Sequence, residues 1–373
     1  MNFHNNPGKK KDIFLDLLEE TFFSRVNYKN KKRENKKREN KIVMNDFKCQ
    51  NTIEISHIIK NIKYYYLYYN VIISHQEIKI GEMNTNVFIS NTIIPTEKII
   101  LFESHKISSI PFFPFFSSLP SPKLLIHHIL DSYIYLIKSI QKLHDNNIYL
   151  LPIHQHDIVF NERYKPIISN FNNALIMNTN TLVFEKLYLW VENFKENLNT
   201  YTDNENAILP FDLYILIHLI DTNYSFSQSS SYLNKIYANN LYNNYFKSFS
   251  FSFSQIEEYK TICFHQLSLY LNKTKMDIIK EILLKREYWD SFLLNTFYIA
   301  MINDVVDIFS LKNTIINDFQ ILLKNSLFQN NDFAFLLTTT ESLYDTHTDW
   351  TFVNTLSYEK LNEFQHKYKS KYA

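Results

Sequence analysis

Glycine is nearly absent: the chain of 373 residues holds two, Gly8 and Gly81. Every site that cradles a phosphate on glycine-rich backbone is therefore excluded, because such loops need several residues free of Cβ close together. Cysteine is as rare, with Cys49 and Cys263 alone. Two thiols so far apart make neither a zinc motif nor a disulfide framework, and a reducing intracellular compartment is the expectation. No stretch reaches about 18 uninterrupted apolar residues, so no membrane span is expected. No apolar segment followed by a small-residue cleavage site lies near the N-terminus, which argues against secretion. Neither charge dominates, since 39 Lys and Arg face 38 Asp and Glu for a net +1. That balance excludes a protein that wraps nucleic acid over its whole surface.

What the chain has instead is apolar and aromatic bulk. Apolar residues make up 45%, with 31 Phe and 26 Tyr, enough to bury a large core. The length fits roughly two to three domain units, or one large domain of two lobes. Positive charge is concentrated near the start: Lys29 to Lys41 contains the pentapeptide Lys-Lys-Arg-Glu-Asn twice in tandem, at 31–35 and 36–40. Like-charge runs stay solvated, so residues 1–43 read as a basic flexible tail, with nucleic-acid contact or nuclear import as its functional alternative.

Beyond the tail, aromatic and alternating segments predict strands at Tyr64–Ser74, Glu77–Met83, Val87–Ile94 and Lys98–Phe102. The Pro-rich, Phe-rich stretch 108–122 reads as a linker without regular structure. Ser121-Pro122 then opens an amphipathic helix whose buried stripe is Ile126, Ile129, Leu130, Tyr133, Ile137, Ile140 and Leu143. Asn146-Asn147 takes the place of the usual C-terminal glycine. Two short strands follow, Ile158–Asn161 and Pro166–Ser169, joined by a tight turn. From 170 onward the pattern is helical: Phe211–Asp221, Ile256–Asn272, Met276–Leu284, Trp289–Met301, Asn313–Ser326 and Tyr358–Tyr368. A Ser-, Asn-, Tyr- and Phe-rich insertion at 222–255 interrupts it. A β-rich front part and a helical back part make an α+β molecule of two lobes.

One run of residues carries a resemblance. Leu143-His144-Asp145-Asn146-Asn147-Ile148, Asp157-Ile158-Val159-Phe160-Asn161 and Pro166-Ile167-Ile168-Ser169-Asn170-Phe171-Asn172 stand in one order. That order resembles the catalytic core of eukaryotic-type protein kinases. There a helix ending in Leu-His is followed by the loop His-Arg-Asp-x-Lys-x-x-Asn, a hairpin and Asp-Phe-Gly. The chain is also similar to kinase-like products of large DNA viruses of protists, which implies host cytoplasm or nucleus as the location. The resemblance implies a small β-rich N-lobe at 44–107, a hinge at 108–122 and a larger helical C-lobe at 123–350. A separate C-terminal segment at 351–373 follows.

Under that resemblance the catalytic positions are degenerate. The proton-accepting Asp falls on Pro152, and the loop lysine on His154. The magnesium-binding Asn falls on Asp157 and the magnesium-binding Asp on Asn170, so the metal carboxylate would be Asp157. Lys79 is the match to the phosphate-pairing lysine, with a solvated strand face as its plain alternative. Asp290, in Trp289-Asp290-Ser291-Phe292, matches the Asp of the central helix that binds the backbone of the catalytic loop. The plain alternative is a helix N-terminal Asp held by the macrodipole. Pro210 marks the end of the activation segment.

The functional expectation is a catalytically dead kinase-like domain that binds or scaffolds a protein partner. No cofactor is expected, nucleic acid enters only through the basic tail, and no membrane is involved. A residual Ser/Thr kinase with weak ATP and Mg binding, and an unrelated helical host-interaction protein, are the alternatives. Two further clusters stay open. His154-x-His156-Asp157 would seed a metal site, and Tyr64–Tyr69 would either stack bases or pack the sheet.

Overall fold

The computed structural model describes residues 38–44, 46–79, 98–151, 153, 155–177, 187–192, 209–221, 251–329, 331–347 and 350–372. It is a mixed α and β molecule. Residues 1–108 with 169–172 form one compact unit, and 109–168 with 173–373 form another. Both glycines, most of the basic repeat, the expected strand 87–94 and insertion residues 222–250 lie outside the described residues.

The first unit is a three-stranded antiparallel sheet and a helix. Strand β1 is Arg38–Met44, helix α1 Phe47–Ile59, strand β2 Ile72–Lys79 and strand β3 Lys98–His105, in the sheet order β1-β3-β2. The most apolar strand, Ile99-Ile100-Leu101-Phe102, takes the centre, where both edges are hydrogen-bonded. Asp46 caps α1 by accepting from the Cys49 N–H at 2.8 Å. Cys49 and Ile53 of α1 then pack with Ile72 and Ile100, flanked by Phe102. Burial pushes the Cys49 thiol up to about 12, with Asp46 adding to the effect, so it serves packing rather than nucleophilic chemistry.

Two expectations for this region change. Residues 38–43, read as tail, are strand, because Ile42-Val43-Met44 ends the charged repeat with β-formers. Pairing with β3 then draws the preceding residues in. The aromatic run 64–71, read as strand, is instead a 3-10 turn at Tyr65–Leu67 followed by irregular chain. Tyr64 lies in the left-handed region at φ 61°, which breaks any strand there.

The second unit begins with a short strand β4, Ile110–Pro111, and helix α2, Phe112–Ser118, where an irregular linker was expected. Both prolines of this stretch are compatible with the helix. Pro111 is its N-cap and Pro114 lies in the first turn, whose N–H groups have no intrahelical partner to lose. Phe112, Phe113, Phe115 and Phe116 are all buried, and Phe115 stacks on Phe160 at 3.7 Å between ring centroids.

Helix α3, Pro122–His144, starts and ends as its sequence dictates. Ser121 Oγ accepts from the Leu124 N–H, Pro122 is the first helical residue, and Asn147 takes φ 58° just beyond the end. Strand β5, Ile148–Tyr149, follows. Strands β6, Ile158–Phe160, and β7, Pro166–Ile168, make a hairpin, with β4 on the free side of β6. In its turn the Asn161 side chain accepts from the N–H groups of Arg163 and Lys165. Strand β8, Leu175–Ile176, pairs with β5.

The helices of this unit surround one of their own number. They are α4 Phe211–Asp221, α5 Phe253–Ser268, α6 Lys275–Leu284, α7 Glu287–Phe309, α8 Ile315–Gln329, α9 Phe333–Thr346 and α10 Tyr358–Tyr372. Helix α7 is apolar nearly all round and buried along its length, as a core helix must be. Among the described residues it alone has the length and apolarity to cross a membrane. Asn295 in its interior is paired across helices: Tyr133 donates to Asn295 Oδ1 at 2.6 Å, and Asn295 Nδ2 donates to Ser326 Oγ at 2.7 Å. Helix α10 belongs to the same unit rather than to a separate terminal segment. Leu361, Phe364 and Tyr368 bury one stripe, Tyr368 packs on Phe113, and Gln365 donates to the Leu119 carbonyl.

Glycine scarcity has a structural cost. Tyr64, Asn147, Tyr164, Ser310 and Asn313 occupy the left-handed region among the described residues, and none is glycine. Ser310 ends α7 in the geometry usually given to glycine, with the N–H groups of Ser310 and Leu311 both donating to the Val306 carbonyl. Ser310→Gly is expected to raise unfolding stability by about 0.5–1 kcal/mol, read from the urea midpoint.

Candidate functional site

In the second unit, the candidate site grows from the end of α3. The helix closes on Leu143-His144, and Asn147 turns the chain into β5, which carries Tyr149 and then Leu150 into the interior. Opposite stands the first turn of α7, where Asp290 is wholly inaccessible to solvent. One oxygen of its carboxylate, Oδ2, holds both parts of the loop: the Leu150 N–H donates to it at 2.9 Å, and His144 Nε2 lies 2.9 Å from it. An imidazole with a proton on Nε2 donates in that contact. The position near the start of α7 also gives the carboxylate the favourable end of the helix dipole.

Rings and a guanidinium close the site. His144 packs against Tyr149 and Phe333, at centroid distances of 4.6 and 5.0 Å. Arg286 lies over the Tyr149 ring at 5.1 Å and donates to the Leu283 carbonyl. Burial raises the Tyr149 hydroxyl above its ordinary range, and Arg286 pulls it back in part. Asp290 Oδ1, Arg286 Nε and Trp289 Nε1 have no hydrogen-bond partner among the described residues. This arrangement fixes a loop. Within it His144 and Asp290 are both buried.

Of the other sequence-predicted residues in this unit, Asp157 ends the 3-10 turn Gln155–Asp157 ahead of β6 and is buried. Pro152 and His154 lie outside the described residues. Among the described residues, no group of three or more His, Cys, Asp or Glu side chains is placed to hold a metal ion.

The first unit holds the Asn-Phe-Asn segment. Asn170 Oδ1 accepts from the Asn172 N–H at 3.1 Å, and Asn172 Oδ1 accepts from the Thr52 hydroxyl of α1 at 3.1 Å. Phe171 is buried against Tyr69, with ring centroids 6.2 Å apart. Lys79 closes β2 at the register position opposite Lys98. Helix α1 precedes that strand in the chain.

Sequence reasoning missed a third buried carboxylate, Asp212 in the first turn of α4. Tyr288 donates to it at 3.0 Å, Gln266 donates to it as well, and Lys285 Nζ lies 3.5 Å away. Burial raises the Asp212 carboxyl above the usual range, while Lys285 and the Tyr288 hydroxyl act against that shift. Its sequence signal is an acid two residues after Pro210 at a helix start, a pattern common to ordinary caps. No protein-family model matches the chain, and no curated protein matches it.

Proposed function

We propose that the chain is a protein-kinase-like scaffold that has lost phosphoryl-transfer chemistry and serves as a protein-binding module. The observation that carries this reading is the bond from the Leu150 N–H to Asp290. It joins the loop after a Leu-His helix to the central buried helix, as the resemblance implies. Element order supports the same reading: strand, helix and two strands, then the long helix α3, the loop, the hairpin β6–β7 and Asn170-Phe171-Asn172. On that order the strand ahead of the helix is β1. The phosphate-pairing lysine then corresponds to Lys41, opposite Phe102 in register, rather than to Lys79.

The chemistry does not follow the frame. Phosphoryl transfer rests on positioning and on stabilising charge, so its parts must be present together. Pro152 has no titratable group where the base would stand. No glycine-rich loop exists anywhere in the chain. What persists is the packing that holds the loop, which is what a binding module needs. The test is phosphate transfer from Mg-ATP to a generic protein acceptor and to the chain itself, with none expected above the uncatalysed background.

A further inference from the structure

The 3-10 turn after α1 has a surface that the packing of its own unit does not explain. Tyr64 and Tyr66 are 53% and 55% exposed and Leu67 is 41% exposed, and no residue of the turn is buried. Their neighbour Tyr69 is fully buried against Phe171, so the turn is anchored from beneath while Tyr64 and Tyr66 face water. The rings hold one another: Tyr66 meets Tyr64 and Tyr65 edge to face, at 6.4 and 6.0 Å between centroids. Tyr64 keeps its place in a backbone region that is unfavourable for a bulky side chain.

Along the sequence next to these rings the charged residues have one sign. From Ile55 to Gln76 the chain contains no Asp or Glu, but it contains His57, Lys60, Lys63 and His75. Lys63 is exposed, and its ammonium lies 4.9 Å from the Tyr64 ring centre. His57 and His75 are also exposed and meet edge to face at 6.0 Å. Lys60 is engaged, donating to the Ile73 carbonyl. Upstream in the same chain, Lys29 to Lys41 adds a net +6. An anionic ligand suits this surface. The face of an aromatic ring carries negative charge density and repels a carboxylate, whereas a flat base stacks on it whatever its identity. Exposed tyrosines beside cations therefore favour a nucleic acid over an acidic peptide. Bases are available for stacking in a single strand and hidden in a duplex.

We infer that Tyr64, Tyr66 and Lys63 form a binding surface for single-stranded nucleic acid, with the rings stacking bases and the cation meeting phosphate. The full-length chain is titrated against a fluorescein-labelled oligothymidylate of about 12 nucleotides, read by anisotropy at roughly 50 and 200 mM salt. Tyr64→Ala with Tyr66→Ala is expected to weaken binding at least about 10-fold with the salt slope unchanged, because stacking releases no counterions. Lys63→Gln is expected to lower that slope by about one. Tyr64→Phe with Tyr66→Phe keeps the ring faces and is expected to bind as the parent does. A melting temperature equal to the parent's establishes that each variant is folded. The inference is overturned if the parent does not bind, if the double alanine variant binds unchanged, or if polyglutamate of the same length competes as well as the oligonucleotide. Equal affinity for a duplex of the same length also overturns it, since stacking on unpaired bases would then play no part.

Discussion

Asp290→Ala is expected to cost about 3–5 kcal/mol of stability, a large share of the roughly 5–15 kcal/mol that holds a domain together. The carboxylate is inaccessible to solvent and accepts from two groups on a segment more than a hundred residues away in sequence. Its removal leaves the Leu150 N–H and His144 buried without a partner, and unmade hydrogen bonds in the interior cost more than made ones contribute. Asp290→Asn keeps the volume and one acceptor oxygen, so it is expected to cost about 1–2 kcal/mol. Urea unfolding of the two variants separates these cases. A loss under about 1 kcal/mol for the alanine variant would mean that the central helix does not clamp the loop, since ordinary surface changes have effects of that size.

Phe364→Ala is expected to cost about 3–5 kcal/mol, the usual range for emptying a large aromatic site in a core. Phe364 is fully buried, stacks on Tyr368 at 4.5 Å, and sits between Leu361 and Tyr368 on the stripe of α10 that faces the second unit's interior. Around it α10 is tied at several points, by Gln365 to the Leu119 carbonyl and by Lys367 to Asp304 at 2.6 Å. A fall in the urea midpoint with an unchanged slope is the expected reading. A change near zero would mean that α10 is an appendage, as its polar sequence suggests when read alone.

Local signals were legible where local physics decides. Ser121-Pro122 and Asn147 bound α3, Phe211–Asp221 is α4 at both ends, and the hairpin around Glu162 to Lys165 falls where its turn residues put it. Elements decided by distant partners were harder to read. Pro111 and Pro114 look like helix breakers until their positions at the start of α2 are known, and only burial of the four Phe residues makes a helix there worthwhile. Arg38 to Val43 look like solvent-exposed charge until β3 offers a strand to pair with. The Tyr64–Tyr68 run has strand composition but no alternation, and Tyr64 and Tyr66 face water.

The candidate site divides in the same way. Asp290 is visible in sequence only through the resemblance carried by Trp289-Asp290-Ser291-Phe292, since an acid in a first helical turn is otherwise ordinary. That His144 and the Leu150 N–H meet it depends on a fold bringing positions 144, 150 and 290 together. Asp212 lacked even that signal, since an acid in a first helical turn is ordinary until Tyr288, Gln266 and Lys285 close over it.

Phosphate transfer tests the central claim most directly: the chain is incubated with Mg-ATP labelled in its terminal phosphate, and incorporation into acceptor protein and into the chain is counted. A frame without a proton acceptor at Pro152 and without a glycine cradle predicts incorporation equal to that of the heat-denatured chain. Sustained turnover that disappears in Asp157→Asn would contradict the account, because it would make that buried carboxylate part of a working centre.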